Sequence, residues 1–399
     1  MRSLVSGGDA KLALRGTNQE FGRPYNRRIV LESIRLHGPT TRGETARRVG
    51  LTVQTVSTIV RELEEQGYIL SGREEPRGRG LPPATLRVNP DGGYAVGIHL
   101  TPLGIDAALI NLSGDVVEST HREAANATPD HAFGLIATLV PELTRLRPNG
   151  RVLGVGMALP GPFGVEALSF VGPTTMAGWK DVPLGERLAA STGLPAFFET
   201  DMAAAALGEQ LYGIGAEFSE YYYLYFGVGL GGAMVHDGVV LRGAWGNAGE
   251  IGHIPAMPGG ELCPCGNRGC LERYVSLEAL RRRKLSDADW VAEIGPVFRN
   301  AIAIVENLFD PETVILGGLA PTALLERLAE AATDLPISIS ARRDRTVPRV
   351  IVARGGQQSV MRGAAALAVA GVLSPRFGQM FAADRAGGHD LMHKDGMAA

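Results

Sequence analysis

Cysteine is nearly absent from this chain: there are three in 399 residues, enough for one disulfide with a thiol left over and no more. Long apolar runs are missing as well. The longest, near Gly363–Leu373, is too short to cross a bilayer. Met1–Gly16 contains no unbroken apolar core of the kind a secretory leader requires. The expectation is a cytoplasmic protein with no membrane contact, in a compartment where thiols stay reduced. Residues 18–90 lack lysine and aspartate altogether and hold twelve Arg against eight Glu. That stretch is therefore +4 in a chain whose total is −3, which leaves −7 on the rest. A basic amino end on an acidic body points to a nucleic-acid-binding module joined to something else.

What is present fits a large folded protein. A hydrophobic fraction of 45 % with 20 % charged residues supports a sizeable core, and 399 residues predict two or three domains. The three cysteines are not scattered. Cys263, Cys265 and Cys270 fall within eight residues of one another, ten residues past His253. One imidazole and three thiolates make the closed tetrahedral set of structural zinc, with no position left for an activated water. The competing reading is free buried cysteines or a single disulfide.

The amino-terminal region reads as three helices and a hairpin. Tyr25–His37 has helical spacing, with Val30 and Ile34 on one face. Thr41-Arg-Gly-Glu44 is a capping box, and that helix ends near Val49-Gly50. A third helix starts at Thr52 and repeats Val56, Ile59, Val60 and Leu63, with Gly67 as its C′ residue. Tyr68–Leu70 and Thr85–Val88 follow as two short strands around a loop. The sum is a winged helix-turn-helix. Its third helix turns Gln54, Thr55, Ser57, Thr58 and Arg61 outward, short polar groups suited to a major groove. The loop carries Arg77 and Arg79, which suit an adjacent minor groove. Operator DNA is the expected partner. A winged helix used for protein contact is the alternative.

After Asn89-Pro90 the texture changes. Strands are expected at Tyr94–Leu100, Ile105–Leu112, Val152–Leu159, Tyr222–Phe226 and Val314–Leu316. Helices are expected at His131–Leu146, Met202–Tyr212, Val297–Phe309 and Met361–Val372. Strand, turn, strand and helix, twice over, give an α/β body of two lobes with a cleft between. The predicted division is a disordered 1–17, a DNA-binding domain at 18–90, a body at 91–375 and a flexible tail at 376–399. Within the body, lobe I takes about 91–200 plus the C-terminal helix near 357–375, and lobe II about 201–356. The glycines Gly227, Gly229, Gly231 and Gly232 follow an apolar strand and are a weak phosphate-loop signal. Glu250 and His253 lie three apart, Glu272 sits just past the last cysteine, and Glu199-Thr200-Asp201 ends an apolar strand. Carboxylates with an imidazole form hydrogen-bond acceptors suited to sugar hydroxyls. Taken singly, Glu250 and Glu272 read better as solvated or capping residues; beside the cysteine loop they read as site residues.

The run Leu224–Gly232, Ala248-Gly-Glu250-Ile-Gly-His253 and Cys-x-Cys-x-x-x-x-Cys resembles the ROK family of repressors, open reading frames and kinases. So do Pro160-Gly161-Pro162, Trp179–Leu184, Glu199-x-Asp201 and Ile315–Gly318. The likeness covers about residues 18–375. It implies an actin-like body of two ribonuclease-H-like lobes with a sugar in the cleft. It places Asp201 at the catalytic-base position and Thr200, Glu250, His253 and Glu272 among the sugar contacts. His253 would hold sugar through one nitrogen and zinc through the other. Two departures follow. Where family kinases carry Asp-x-Gly-Gly-Thr for ATP phosphates, this chain has His99-Leu100-Thr101-Pro102-Leu103, and Pro102 has no N–H. Thr200 stands where kinases usually carry Asn. The expectation is a repressor of carbohydrate genes, responsive to a sugar or sugar phosphate, acting as a homodimer or tetramer, with a vestigial Asp201 and no kinase activity. The competing readings are a sugar kinase with an appended DNA-binding domain and a sugar-sensing scaffold whose winged helix binds protein.

Overall fold

The computed structural model describes residues 23–72, 84–162, 176, 178, 179, 182–340 and 344–373. The expected disordered start, the flexible tail and the wing loop with Arg77 and Arg79 lie outside the described residues.

The first region is built by local signals. Helix α1 is Arg23–His37, α2 is Arg42–Val49 and α3 is Val53–Glu65. The capping box is complete: the Glu44 N–H donates to Thr41 Oγ1 at 3.2 Å and the Thr41 N–H to Glu44 Oε2 at 2.9 Å. Gly50 ends α2 with φ +67°, a left-handed position that favours glycine. Thr52 caps α3 instead of being its first residue, and Val56, Ile59, Val60 and Leu63 are buried as the spacing requires. Strands β2 (Ile69–Gly72) and β3 (Thr85–Val88) pair antiparallel, and β3 also pairs with a two-residue strand, β1 (Thr40–Thr41). That third strand has no sequence signal of its own; it exists because β3 passes beside the capping box.

The body contains two five-stranded sheets of the same design. The first has the order β6-β5-β4-β7-β8, from β4 (Tyr94–Thr101), β5 (Gly104–Asn111), β6 (Val116–Glu123), β7 (Val152–Leu159) and β8 (Ala196–Thr200). The second runs β11-β10-β9-β12-β13, from β9 (Glu220–Phe226), β10 (Leu230–His236), β11 (Val239–Val240), β12 (Thr313–Gly318) and β13 (Val350–Val352). In each, three antiparallel strands precede two parallel ones. Helix α4 (Pro129–Thr144) covers the first sheet and α5 (Leu184–Thr192) leads into β8. On the second, α7 (Leu277–Arg283), α8 (Asp287–Phe309) and α9 (Thr322–Ala331) form the outer layer.

Three points differ from the sequence expectation. Strands β6, β10, β11 and β13 are not among the expected ones. β6 is mostly polar and half of its residues are exposed, as befits an edge strand; β10 is led by glycines, and β11 and β13 have only two and three residues. Helices α5, α7 and α9 were not foreseen either. α8 begins ten residues before Val297 and runs through Pro296. Burial of Trp290, Val291 and Ile294 against the second sheet's core outweighs the single backbone hydrogen bond that proline removes.

Helices α6 (Asp201–Tyr212) and α10 (Ser359–Leu373) lie between the sheets. Small residues let them approach. A Cβ on Gly363 would lie 1.7 Å from the Ala204 carbonyl oxygen, and one on Gly156 of β7 would lie 1.7 Å from the Ala364 carbonyl oxygen. The winged helix is packed onto this body. Ile29, Ile34 and other core side chains of α1–α3 share one buried cluster with Ala365, Ala368, Val369 and Leu373 of α10. Arg151 stacks over Tyr68 at 4.7 Å. The Glu32–Arg35 pair of α1 has side chains only 10 % and 5 % exposed. It lies near enough to the end of α6 for both charges to act on the buried Tyr212 hydroxyl. Among the described residues no helix is long and apolar enough to cross a membrane.

Candidate functional site

Each of the central acidic groups is placed by a specific piece of backbone. β8 ends at Thr200, whose hydroxyl caps α6 by accepting from the Ala203 N–H at 3.4 Å. Asp201 is therefore the first helical residue, and its Oδ1 accepts from the Met202 N–H at 2.8 Å. Glu250 follows Gly249, which has φ +103° and whose Cβ would lie 1.8 Å from the Gly232 carbonyl oxygen. Only glycine fits there, and it turns the chain so that Glu250 faces Asp201 across the cleft. Glu272 sits in a short turn behind them and is 7 % exposed.

Asp201, Glu250, His253 and Glu272 line one cavity, with about 630 Å³ of space including its open mouth. Thr200 is not among the lining residues; its hydroxyl is used as the helix cap. Burial pushes the Asp201 carboxyl up to about 6, against the opposing pull of the Met202 N–H and the Tyr225 hydroxyl. Burial pushes Glu250 up to about 7, reinforced by the charges of Asp201 and Glu272. Tyr225, on β9, had not been foreseen. Its position is legible only from strand alternation, since Tyr221, Tyr223 and Tyr225 share the face turned toward α6 and α10.

The cysteine cluster adjoins this cavity. One ligand atom from each of His253, Cys263, Cys265 and Cys270 lies within 4.8 Å of all the others. The His253 Nδ1 to Cys263 Sγ distance is 3.7 Å and the Cys265 to Cys270 Sγ distance is 3.6 Å. A tetrahedron with ligands about 2.3 Å from its centre has edges of about 3.8 Å, so the spacing suits a zinc-sized ion. All three cysteines are free thiols in this structure. Burial pushes the Cys263 thiol up and takes Cys270 up to about 11. A cation is what would make three thiolates tolerable there. While Nδ1 faces the sulfurs, Nε2 faces the cleft, 3.9 Å from Glu250 Oε2.

The hairpin at the other lip of the cavity uses its turn N–H groups internally. Thr101 and Gly104 pair across a two-residue turn. Thr101 Oγ1 accepts from both the Leu103 N–H at 3.1 Å and the Gly104 N–H at 3.2 Å. Pro102 has no N–H to give. His99 is buried on β4, and burial lowers it to about 4, so it is neutral at physiological pH.

The third helix of the winged module presents Gln54, Thr58 and Arg61 fully and Thr55 and Ser57 partly to solvent. Ser57 donates to the Val53 carbonyl at 2.7 Å and Thr58 to the Gln54 carbonyl at 3.2 Å. Their outward lone pairs remain available as acceptors.

A winged helix-turn-helix DNA-binding family model matches residues 24–69, and the ROK family model matches residues 95–293. A xylose repressor of Caldicellulosiruptor bescii is 30 % identical over 383 residues, covering 83 % of this chain and 95 % of that protein. A glucokinase of Streptomyces coelicolor is 33 % identical over 190 residues, covering 48 % of this chain and 58 % of the enzyme. Among solved structures, a ROK family transcriptional regulator described as a homologue of the E. coli MLC protein aligns with a TM-score of 0.68 and 25 % identity, over 90 % of this chain and 98 % of that one.

Proposed function

The chain belongs to the ROK family, and from that membership and its winged helix we infer a sugar-responsive DNA-binding repressor. The observation that carries the reading is the pairing, in one body, of a carboxylate-lined cavity with a hairpin whose N–H groups are already taken. A sugar has acceptors to meet its hydroxyls, whereas a nucleotide triphosphate finds no cradle at that turn. Phosphoryl transfer depends on positioning and charge neutralisation, so occupancy is reported and not converted. Asp201 then accepts a sugar hydroxyl without acting as a base. Glu250, the His253 Nε2 and Glu272 complete the contacts, with Thr200 setting the start of α6.

The donor set fits a structural zinc held by His253 Nδ1 and the three cysteine sulfurs. Such an ion supplies rigidity and no open coordination position. Held there by its Nδ1, the His253 imidazole would be fixed in plane, and with it the direction of the nitrogen that faces the cleft.

Occupancy reaches the DNA-binding module through α6. The helix begins at Asp201 in the cleft and ends at Tyr212 beside the Glu32–Arg35 pair of α1. A sugar that draws Asp201 and Glu250 together shifts α6 and its partner α10, and the winged helix moves with them. Gln54, Thr55, Ser57, Thr58 and Arg61 would enter the major groove. A homodimer or tetramer would present two such helices to a palindromic operator.

Fluorescence anisotropy with DNA from upstream of the chain's own operon tests this. Binding with steep salt dependence, altered by a sugar, is expected. Sugar phosphorylation by MgATP that disappears in Asp201→Asn would instead establish the kinase.

A further inference from the structure

We propose that Glu209 pins the junction between the two sheets, and that this pin carries closure of the cleft to the winged helix. It is a positioning residue, outside the lining of the cavity. The proposal rests on the sugar-sensing reading and names the residue that transmits the signal.

The chain crosses between the sheets twice. It goes out along α6 and the short turn Ile214–Glu217 into β9, and it returns from β13 through residues 353–358 into α10. Both crossings are held by one side chain. Glu209, in the last turn of α6, is 1 % exposed. Its Oε2 accepts from the Ile214 N–H at 3.1 Å and its Oε1 from the Gly355 N–H at 3.0 Å. The Ser359 hydroxyl, which also reaches the Gly356 carbonyl at 2.7 Å, lies 3.3 Å from Oε1. Among the described residues no cationic side chain is paired with this carboxylate. A buried acceptor of that kind is tolerated only where donors replace its water. Burial raises its pKa, and the Gly355 and Ile214 N–H groups oppose the shift. The backbone is shaped around it. A Cβ on Gly213 would lie 2.0 Å from Oε2, and one on Gly355 would lie 2.7 Å from Oε1. Glu209 stands eight residues after Asp201, about 12 Å along the helix, and three before Tyr212. The contact of Gly363 with Ala204 holds α6 and α10 along their lengths. Glu209 instead holds the two segments from which the second sheet hangs. Rotation of that sheet is thus delivered to α6 and α10 together, and α10 shares its buried cluster with the core of the winged helix.

The full-length chain, with D-xylose, D-glucose and N-acetyl-D-glucosamine as probes, provides the test. Operator affinity is read by anisotropy with and without sugar, sugar affinity by calorimetry, and release of the two segments by hydrogen exchange. Glu209→Gln keeps the volume, but its amide can accept from only one of the two N–H groups and sets its own N–H against the other. The sugar-induced change in operator affinity, typically about 5- to 150-fold, is expected to shrink to about twofold or less. Sugar affinity should stay as in the wild type, and exchange at Ile214 or Gly355 should speed up. Gly355→Ala is the second variant: its backbone, with φ −73°, suits alanine, while the added Cβ crowds Oε1. It should show the same loss, and it decides the question if Glu209→Gln does not fold. A full response in the folded variants, whatever their thermal midpoints, overturns the proposal and leaves sugar sensing standing. Sugar affinity that falls as far as the response overturns it too, by making Glu209 part of the ligand site. A wild-type chain that binds operator and responds to none of the probes removes the sensing reading and this proposal together.

Discussion

Asp201 is held in an unfavourable state for the sake of the cavity. Its carboxyl titrates near 6 because burial disfavours the charge, against an ordinary value of 3.8. The folded protein thus keeps this proton more tightly than the unfolded chain does. Its contribution to stability is full below about pH 4 and is lost as pH rises through 6. Asp201→Asn should therefore raise the thermal midpoint at pH 7.5, and the gain should shrink by more than half at pH 4.5. A gain that is equal at both pH values would show that burial of the charge is not the cause. The cysteines make the second prediction at this scale. Cys265→Ser removes one of four donors and should lower zinc content and sugar affinity together, read by metal analysis and titration. Full zinc occupancy in that variant would refute the ligand assignment. The His and Cys donor cluster was legible in the sequence because its cysteines fall within eight residues. The hydroxyl of Thr101 was not, since nothing near it in the chain announces what it faces, and for Tyr225 strand alternation gives the face but not the neighbour, Asp201.

At the scale of elements, the helices of the winged module follow local chemistry. Thr41→Ala breaks the capping box and should cost about 1 kcal/mol, seen as a lower denaturation midpoint. Arg61 is exposed on α3, away from the buried Val56–Leu63 face. Arg61→Ala should leave the fold intact and weaken operator binding by about 1–3 kcal/mol. Undiminished affinity would remove α3 from the DNA interface. Periodicity found α3 because its apolar face is sharply separated from its polar one. It missed β6, where an edge position leaves most side chains in water, and it shortened α8, where Pro296 imitates a stop that packing overrides.

For the molecule as a whole, the contact between body and winged helix decides whether a sugar can be felt by DNA. The Glu32–Arg35 pair beside Tyr212 is a buried charged part of that contact, next to the apolar cluster shared by α1–α3 and α10. Replacing both charges, Glu32→Gln with Arg35→Met, avoids leaving either one buried alone. Sugar affinity should be unchanged while the sugar-induced change in operator affinity, typically about 1–3 kcal/mol, becomes smaller. A double variant with full coupling would place the route elsewhere, through α10.

What the sequence determined by itself was whatever depends on neighbours a few residues away: the capping box, the amphipathic α3, the His and Cys donor set, and the loss of the Asp-x-Gly-Gly-Thr pattern. Such features are settled by spacing, because a helical turn or a metal loop reaches only that far. The tertiary structure alone decided that carboxylates from three separate parts of the chain share a cavity in which no described residue is cationic. It alone decided that α6 runs from that cavity to the winged helix. Charge repulsion and helix packing act through space, and the two sheets had to fold around α6 and α10 before those groups could meet.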